Sequence, residues 1–437
     1  MIHTRTFGKI ALILTIALVL GSTAPAFAEP SVKVSSSSIS FSEDVTDDMI
    51  ADASKQFEEK KGDIAKATLS LQYVTDDMVA KACAAYPGVR KIELLNAPEL
   101  TSVAPVAGLA DITELTFQDL PKVTDLSPLS KNTKLTRMGI TRVDFANPDM
   151  KWIAPLTDLS DLSMEKAPAS FTSLEGMESL VKLRQFTLRR STAPDLTPLC
   201  ALPNLQKLSL AYSFADLTPL KGCAKLTELS LYGSTATDIA PLAEVPSLKA
   251  LDVYATKNIA DYDAIGTIKT LESVATGLSA MTSAAWAAEL PNLKRATFFK
   301  DAIADLSPLG KATSLEHLDL WQLEVPDTAF LAPLKNLKTL KMDSSNKESK
   351  TPLDLSALKD LAALKTLVVS NSPVSNPGTL SSLAALEYLD IRKTEGISDL
   401  RPLIGLTKLK EIQVSPNTFS EADTNVLTEK GIKVQAR

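Results

Sequence analysis

A solenoid with a parallel sheet along one face is the architecture this sequence predicts, and three observations predict it. Residues 202–220 (LPNLQKLSLAYSFADLTPL) and 223–242 (CAKLTELSLYGSTATDIAPL) share apolar positions: Leu205 matches Leu226, Leu208 matches Leu229 and Leu210 matches Leu231. The pattern L-x-x-L-x-L continues in both directions, its first position falling at Val89, Ile112, Leu135, Leu159, Leu183, Leu205, Leu226, Leu248, Leu271, Leu293, Leu315, Leu337, Leu364, Leu386 and Leu409. The steps are 21 to 24 residues, except one of 27 between Leu337 and Leu364. Several units then turn on Asp-apolar-x-Pro-Leu, as in residues 216–220 and 238–242. A unit of this size cannot bury its own leucines, and only stacking on its neighbours does so.

Each part of the unit has a physical reading. Leu208-Ser209-Leu210 alternates with period two, as in a short strand with one buried face. Pro219-Leu220 turns the chain, and apolar Cys223 and Leu226 start a helical or 3-10 return leg. Stacked units pair their strands in parallel. The prediction is an α/β solenoid: a leucine-rich-repeat arch of fifteen repeats over residues 89–416, with a parallel concave β-sheet and short helical or 3-10 convex legs.

The repeat length and the turns DLSPL, DLTPL and DIAPL resemble the internalin-type repeat of bacterial surface proteins, from Val89 to about Pro416. The resemblance implies adhesion or receptor binding as the role. The chain departs from it where that family places Asn for a backbone-bonding ladder. Here stand Ser191, Ser213, Ser234, Thr256, Ser372 and Thr394, whose hydroxyls can take part of that role at some cost in rigidity.

The ends differ from the repeats. Residues 1–28 have basic Arg5 and Lys9, an apolar run from Ile10 to Leu20, and Ala26-Phe27-Ala28 before Glu29. That is an export signal with a small-x-small cleavage site, too short to span a membrane. No Cys follows for a lipid anchor and the C-terminus carries no sorting motif, so the expected product is exported, periplasmic or extracellular, with no membrane insertion after signal removal. Residues 29–44 are Ser-rich and read as a flexible leader. Residues 45–88 repeat Thr-Asp-Asp (Thr46-Asp47-Asp48, Thr75-Asp76-Asp77), a helix-start signal, and read as a helix–strand–helix cap. A calcium site is the alternative use of those acids. Residues 417–437 read as a C-terminal cap: Ser420 and Asp423 start a helix, Gly431 stops it, and a last strand follows.

Composition narrows the function. The chain carries a formal charge of −6, or −8 without Arg5 and Lys9, and no basic cluster, which argues against nucleic acid and anionic membranes. Cys83, Cys200 and Cys223 are too few and too scattered for a metal site. Cys223 holds a core position and reads as a buried thiol, with a Cys200–Cys223 bridge between neighbouring legs as the alternative.

Counting from the first apolar residue of a repeat, positions +2, +4 and +6 point outward from the sheet. The +2 column (Lys91, Glu114, Arg137, Asp161) alternates in sign and reads as a solvated ladder. The +6 column runs Ala211, Tyr232, Tyr254, Gly277, Phe299, Trp321, Asp343, with Tyr212 at its near end, in a chain that is only 5% aromatic. Gly277 predicts a notch between Tyr254 and Phe299, whose strands lie about 10 Å apart. Exposed aromatics are the usual make-up of a binding hot spot. Arg295, His317, Asp319 and Lys341 lie on the same face and can orient a polar partner. The alternative is that the rings pack on one another and stiffen the arch. Trp286 reads as core, and residues 344–350 (SSNKESK), which carry the long step, as a loop at the concave rim.

These observations predict a non-enzymatic recognition protein that binds a protein partner through Tyr212, Tyr232, Tyr254, Gly277, Arg295, Phe299, His317, Asp319, Trp321 and Lys341. A glycan or peptidoglycan fragment, or a purely structural envelope role, are the alternatives. No cofactor is expected. His317 and Asp319 share a strand, but no nucleophile is placed beside them and no hydrolase or phosphate-loop motif occurs.

Overall fold

The computed structural model describes residues 29–191, 195–213 and 216–437. The export signal read at residues 1–28 lies outside the described residues. The principal sheet has 19 strands. Its first strand, Ser31–Ser35, runs antiparallel to Ser38–Ser42. From there the strands follow chain order in parallel, through Thr68–Gln72 and Lys91–Leu95 to Glu411–Val414 and Lys433–Ala436. Every one of the fifteen predicted repeats supplies a strand, and the return legs are 3-10 turns or single helical turns such as Ser127–Lys131 and Thr197–Cys200.

The strand leucines and their equivalents form one continuous core. Leu210, Leu231, Val253, Phe298 and Leu320 are wholly buried, and Trp286 packs on Phe298 at a centroid distance of 5.8 Å. Charge alternation in the +2 column appears as ion pairs Lys91–Glu114 (3.1 Å) and Lys207–Glu228 (2.9 Å), each contributing at most about 1 kcal/mol at the surface.

The Ser-rich leader is not loose. Residues 31–42 form a hairpin whose second strand extends the parallel sheet, and Ile39 and Phe41 are fully buried. The alternation Ile39-Ser40-Phe41 is that of every later repeat; serines fill the outward positions and mask it. Helices Asp47–Glu59 and Asp76–Ala85 follow the expected positions, but their two Thr-Asp-Asp starts work differently. Thr46 accepts from Met49 N–H at 3.3 Å as a cap, whereas the Thr75 hydroxyl donates to Asp44 at 2.8 Å. Asp76 in turn accepts the backbone N–H groups of Thr101 (2.8 Å) and Ser102 (2.9 Å), so these acids join successive units. At the far end a capping box between Ser420 and Asp423 opens helix Glu421–Thr428, and Gly431 turns the chain at φ 80°.

Two further expectations are corrected. Cys200 and Cys223 are joined in a disulfide, Cα–Cα 4.5 Å, between adjacent convex legs; the stacking period brings the two within reach, and Cys223 remains in the core wall. Cys83 is the free thiol, its pKa pushed up to about 12 by burial. Closing a 23-residue separation restricts the unfolded chain, so Cys200→Ser should lower unfolding free energy by about 3 kcal/mol. Urea unfolding with and without reductant checks this: reductant should displace the wild-type midpoint and leave the variant's unchanged. The long-step insertion is anchored too, not simply looped out. Ser345 and Asn346 are buried, and Asn346 Nδ2 donates to the Val325 carbonyl at 2.8 Å and the Thr351 carbonyl at 2.9 Å, leaving residues 347–350 exposed.

Hydroxyls do replace the missing asparagines. Ser191 N–H donates to Ser213 Oγ (2.8 Å), Ser234 Oγ to the Ser213 carbonyl (2.8 Å), Ser345 N–H to Ser372 Oγ (3.0 Å) and Thr394 Oγ1 to the Val369 carbonyl (2.9 Å). These bonds bridge neighbouring repeats. Thr256 departs from that pattern, donating within its own turn to the Val253 carbonyl at 2.6 Å.

Candidate functional site

Where each strand ends, the chain turns through a left-handed residue. Asn96, Asp119, Arg142, Lys166, Arg190, Tyr212, Ala255, Leu278, Lys300 and Gln322 all have φ between 49° and 58°, and Gly233 fills the same place at 62°. The N–H of that residue donates to the +6 carbonyl of the next repeat: Tyr212 to Tyr232 (2.9 Å), Gly233 to Tyr254 (2.8 Å), Leu278 to Phe299 (2.8 Å) and Lys300 to Trp321 (3.1 Å). A side chain in left-handed backbone costs roughly 1–2 kcal/mol, offset here by a regular ladder of inter-repeat bonds. The ladder fixes the backbone beneath the aromatic row.

The rings of the row touch in sequence. Tyr212 meets Tyr232 edge-on at 5.2 Å; Tyr232 and Tyr254 are stacked at 5.2 Å with an interplanar angle of 5°. Tyr254 stacks on Phe299 at 5.8 Å and 17°, and Phe299 meets Trp321 edge-on at 4.7 Å. Tyr212 is 39% exposed and the other four are half-buried. The notch expected at Gly277 is closed: a Cβ there would lie 2.5 Å from Tyr254 Cε2 and 2.8 Å from Phe299 Cβ. Glycine is what lets Tyr254 lean across its strand onto Phe299. Beneath, Asp252 accepts from Tyr254 N–H and Ser230 Oγ, both at 2.9 Å. Asp301, itself buried, accepts from Thr276 Oγ1 and Ser279 Oγ, both at 2.7 Å.

Contact between the rings shows in their acidity. A hydrogen bond with Tyr212, followed by burial, holds the Tyr232 phenol up at about 12, and burial also raises Tyr254. Tyr212→Phe should bring the Tyr232 ionisation back toward the ordinary tyrosine range near pH 10. Alkaline ultraviolet titration of the two proteins, compared by difference, measures that shift.

The polar residues expected beside the row are on the same face but not against it. Arg295 and His317 pair in register at the first outward position, four residues from Phe299 and Trp321, about 13 Å along the strand. Burial, then the Arg295 charge, lowers the His317 pKa; burial lowers that of Arg295. Asp319 and Lys341 occupy the middle column, 3.7 Å apart, with burial raising the Asp319 pKa against the pull of Lys341. The structure therefore gathers the aromatics and separates the polar set from them. A shallow cleft of about 400 Å³ lies at the opposite sheet edge, between Thr136, Ser160 and Arg184.

The cations that do border the row were missed in the sequence. The Arg190 guanidinium lies over the Tyr212 ring at 4.8 Å and the Lys300 ammonium lies 5.7 Å from the Phe299 centroid. Both occupy the left-handed position directly after +6; counting one residue further along each repeat finds them.

No family model matches the chain and no curated protein does. Among solved structures, a leucine-rich-repeat protein of Leptospira interrogans is similar over 84% of this chain and 89% of its own, at 15% identity and a TM-score of 0.56. The fold is the leucine-rich-repeat solenoid. An internalin of Listeria monocytogenes aligns over 73% of this chain and 84% of its own, at 22% identity and a TM-score of 0.49. Among the described residues of this leucine-rich-repeat chain no helix is long and apolar enough to cross a membrane, and no group of three His, Cys, Asp or Glu is placed to hold a metal.

Proposed function

We propose that this leucine-rich-repeat arch is an exported, non-enzymatic recognition protein that binds a protein partner through the strip Tyr212, Tyr232, Tyr254, Phe299 and Trp321. The observation that carries this reading is the continuity of the strip. Five partly exposed rings lie in unbroken contact on an otherwise polar outward face. A preorganised aromatic surface loses little side-chain entropy on binding, which favours its use as an anchor. Export rests on the segment at residues 1–28. In this reading Arg295, His317, Asp319 and Lys341 form the polar rim around the anchors, with His317 neutral at pH 7.

The test is capture of partners from envelope and culture fractions by the chain lacking residues 1–28, beside its Tyr254→Ala/Trp321→Ala variant. A protein retained by the first and lost, by at least tenfold, with the second is the expected result. Unchanged circular dichroism shows that the variant is folded. Equal capture by both would reject the strip as the binding face.

A further inference from the structure

The aromatic row ends on opposite charges, and the inference drawn from this rests on the strip being the binding face. At its near end the row passes from Ala211 to Arg189, in register on the neighbouring strand. Glu165, in register with Arg189 on the other side, is bonded by Arg190 at 3.0 Å. Arg189 thus has no carboxylate partner among the described residues, and its Nε is buried without a hydrogen bond. At the far end the row passes from Trp321 to Asp343, whose carbonyl takes the Gln322 N–H at 3.0 Å. The Asp343 carboxylate is bonded by the hydroxyls of Ser370 and Ser344. Lys341 is held by Asp319 at 3.7 Å, and Arg392, two strands on in the row, by Asp390 at 2.6 Å. That leaves Asp343 with no cation partner among the described residues.

Between those ends the surface is apolar and continues onto the rim. The left-handed residues beside the row are charged at Arg190 and Lys300, but those between them are Tyr212, Gly233, Ala255 and Leu278. Tyr212 and Leu278 are 39% and 41% exposed, two of the four large apolar side chains left open among the described residues. Asp252 and Asp301 carry charge near the middle of the row, each held by hydroxyl or N–H groups alone. They share the central repeats with Lys300 and do not distinguish one end from the other.

A charge of opposite sign at each end and an apolar middle make the strip complementary to its own reversed copy. We infer that its protein partner is a second copy of this chain, docked about a two-fold axis that passes between Tyr254 and Gly277. A two-fold contact sets one patch against itself in reverse order. Arg189 then falls opposite Asp343 of the second copy, Ala211 opposite Trp321, and Tyr232 opposite Phe299. No other placement of the axis brings the two end charges together. On the rim the same axis covers Leu278 with Ala255 of the second copy. Both rows lie where the strands end, so the arches meet rim to rim. From Arg189 to Asp343 the row crosses seven inter-strand spacings, about 34 Å, and with the rim beside it offers about 500 Å² per copy. That is the size of a weak, reversible dimer.

The experiment is sedimentation equilibrium of the chain lacking residues 1–28 over about 1 to 300 μM, a range that brackets a weak dimer. Wild type should pass from monomer to dimer and no further. Arg189→Asp and Asp343→Arg each set like charges against one another and should weaken the dimer about tenfold or more. Mixed in equal amounts, the two variants should pair with each other to within about threefold of wild type, because each meets the opposite charge on the other. Tyr254→Ala/Trp321→Ala should stay monomeric. So should Leu278→Asp, which changes an exposed residue and carries the test should Arg189→Asp fail to fold. A wild type monomeric throughout, association beyond two copies, or a dimer indifferent to these substitutions would overturn the two-fold docking. So would charge variants that keep the wild-type circular dichroism yet stay apart when mixed. Any of these can occur while the aromatic double variant still loses its captured partner, in which case the strip stands and only the self-pairing falls.

Discussion

Gly277→Val is expected to abolish partner capture while leaving the arch folded. At this position even one added carbon would sit 2.5 Å from Tyr254 Cε2, 2.7 Å from Tyr254 Cδ2 and 2.8 Å from Phe299 Cβ. Real Cβ contacts do not come so close, and Val adds two more methyl groups. The Tyr254 ring, half-buried at the rim, can swing toward solvent, whereas Phe299 Cβ is fixed to its backbone and yields only by a small shift of its strand. The swing breaks the stack with Phe299 and moves the ring off Tyr232, contacts worth about 0.5–1.5 kcal/mol each. The stability cost is therefore modest, about 1–3 kcal/mol. Binding suffers more, since a hot spot depends on the fixed geometry of its anchors: a loss of 2 kcal/mol or more corresponds to about thirtyfold or greater weakening. Gly277→Ala should show an intermediate loss. Titration calorimetry with the captured partner, beside thermal unfolding of each variant, checks both halves. Wild-type affinity in Gly277→Val would mean that ring stacking does not set the binding surface.

Phe298→Ala should have the largest effect on stability, about 3–5 kcal/mol. Phe298 is wholly buried, packs against Trp286 at 5.8 Å, and sits between strands contributed by the neighbouring repeats. Removing its ring leaves a cavity in a core only one stripe wide, where repeats hold each other by nearest-neighbour contact. The damage should be local: hydrogen exchange should accelerate most in residues 273–321 and far less toward either end. Phe299→Ala is the matched control. It removes the adjacent side chain from the outward face, should cost about 1 kcal/mol, and should instead impair binding. Equal destabilisation by the two substitutions would contradict the assignment of inward and outward faces.

That pair of phenylalanines also shows what was legible in the sequence. Strand periodicity of two assigns Phe298 inward and Phe299 outward without any coordinates, and the L-x-x-L-x-L spacing places all fifteen strands, because apolar spacing and burial are the same physical fact in a solenoid. The aromatic row at +6 follows from the same count. Composition misled at residues 31–42, where serines at outward positions hid the alternation of Ile39 and Phe41.

What the sequence alone determined is therefore the arch and the side of the sheet on which each residue stands, since both depend on local periodicity repeated at a fixed step. Only the tertiary structure decided how side chains from successive repeats meet. Tyr254 crosses the space left by Gly277, Cys200 closes on Cys223, Asp44 takes the Thr75 hydroxyl, and Arg190 takes the carboxylate of Glu165, leaving Arg189 without a carboxylate partner among the described residues. These contacts join residues about 20 to 30 positions apart, where ring orientation and competition between neighbouring charges set the outcome. A one-dimensional pattern carries no record of either.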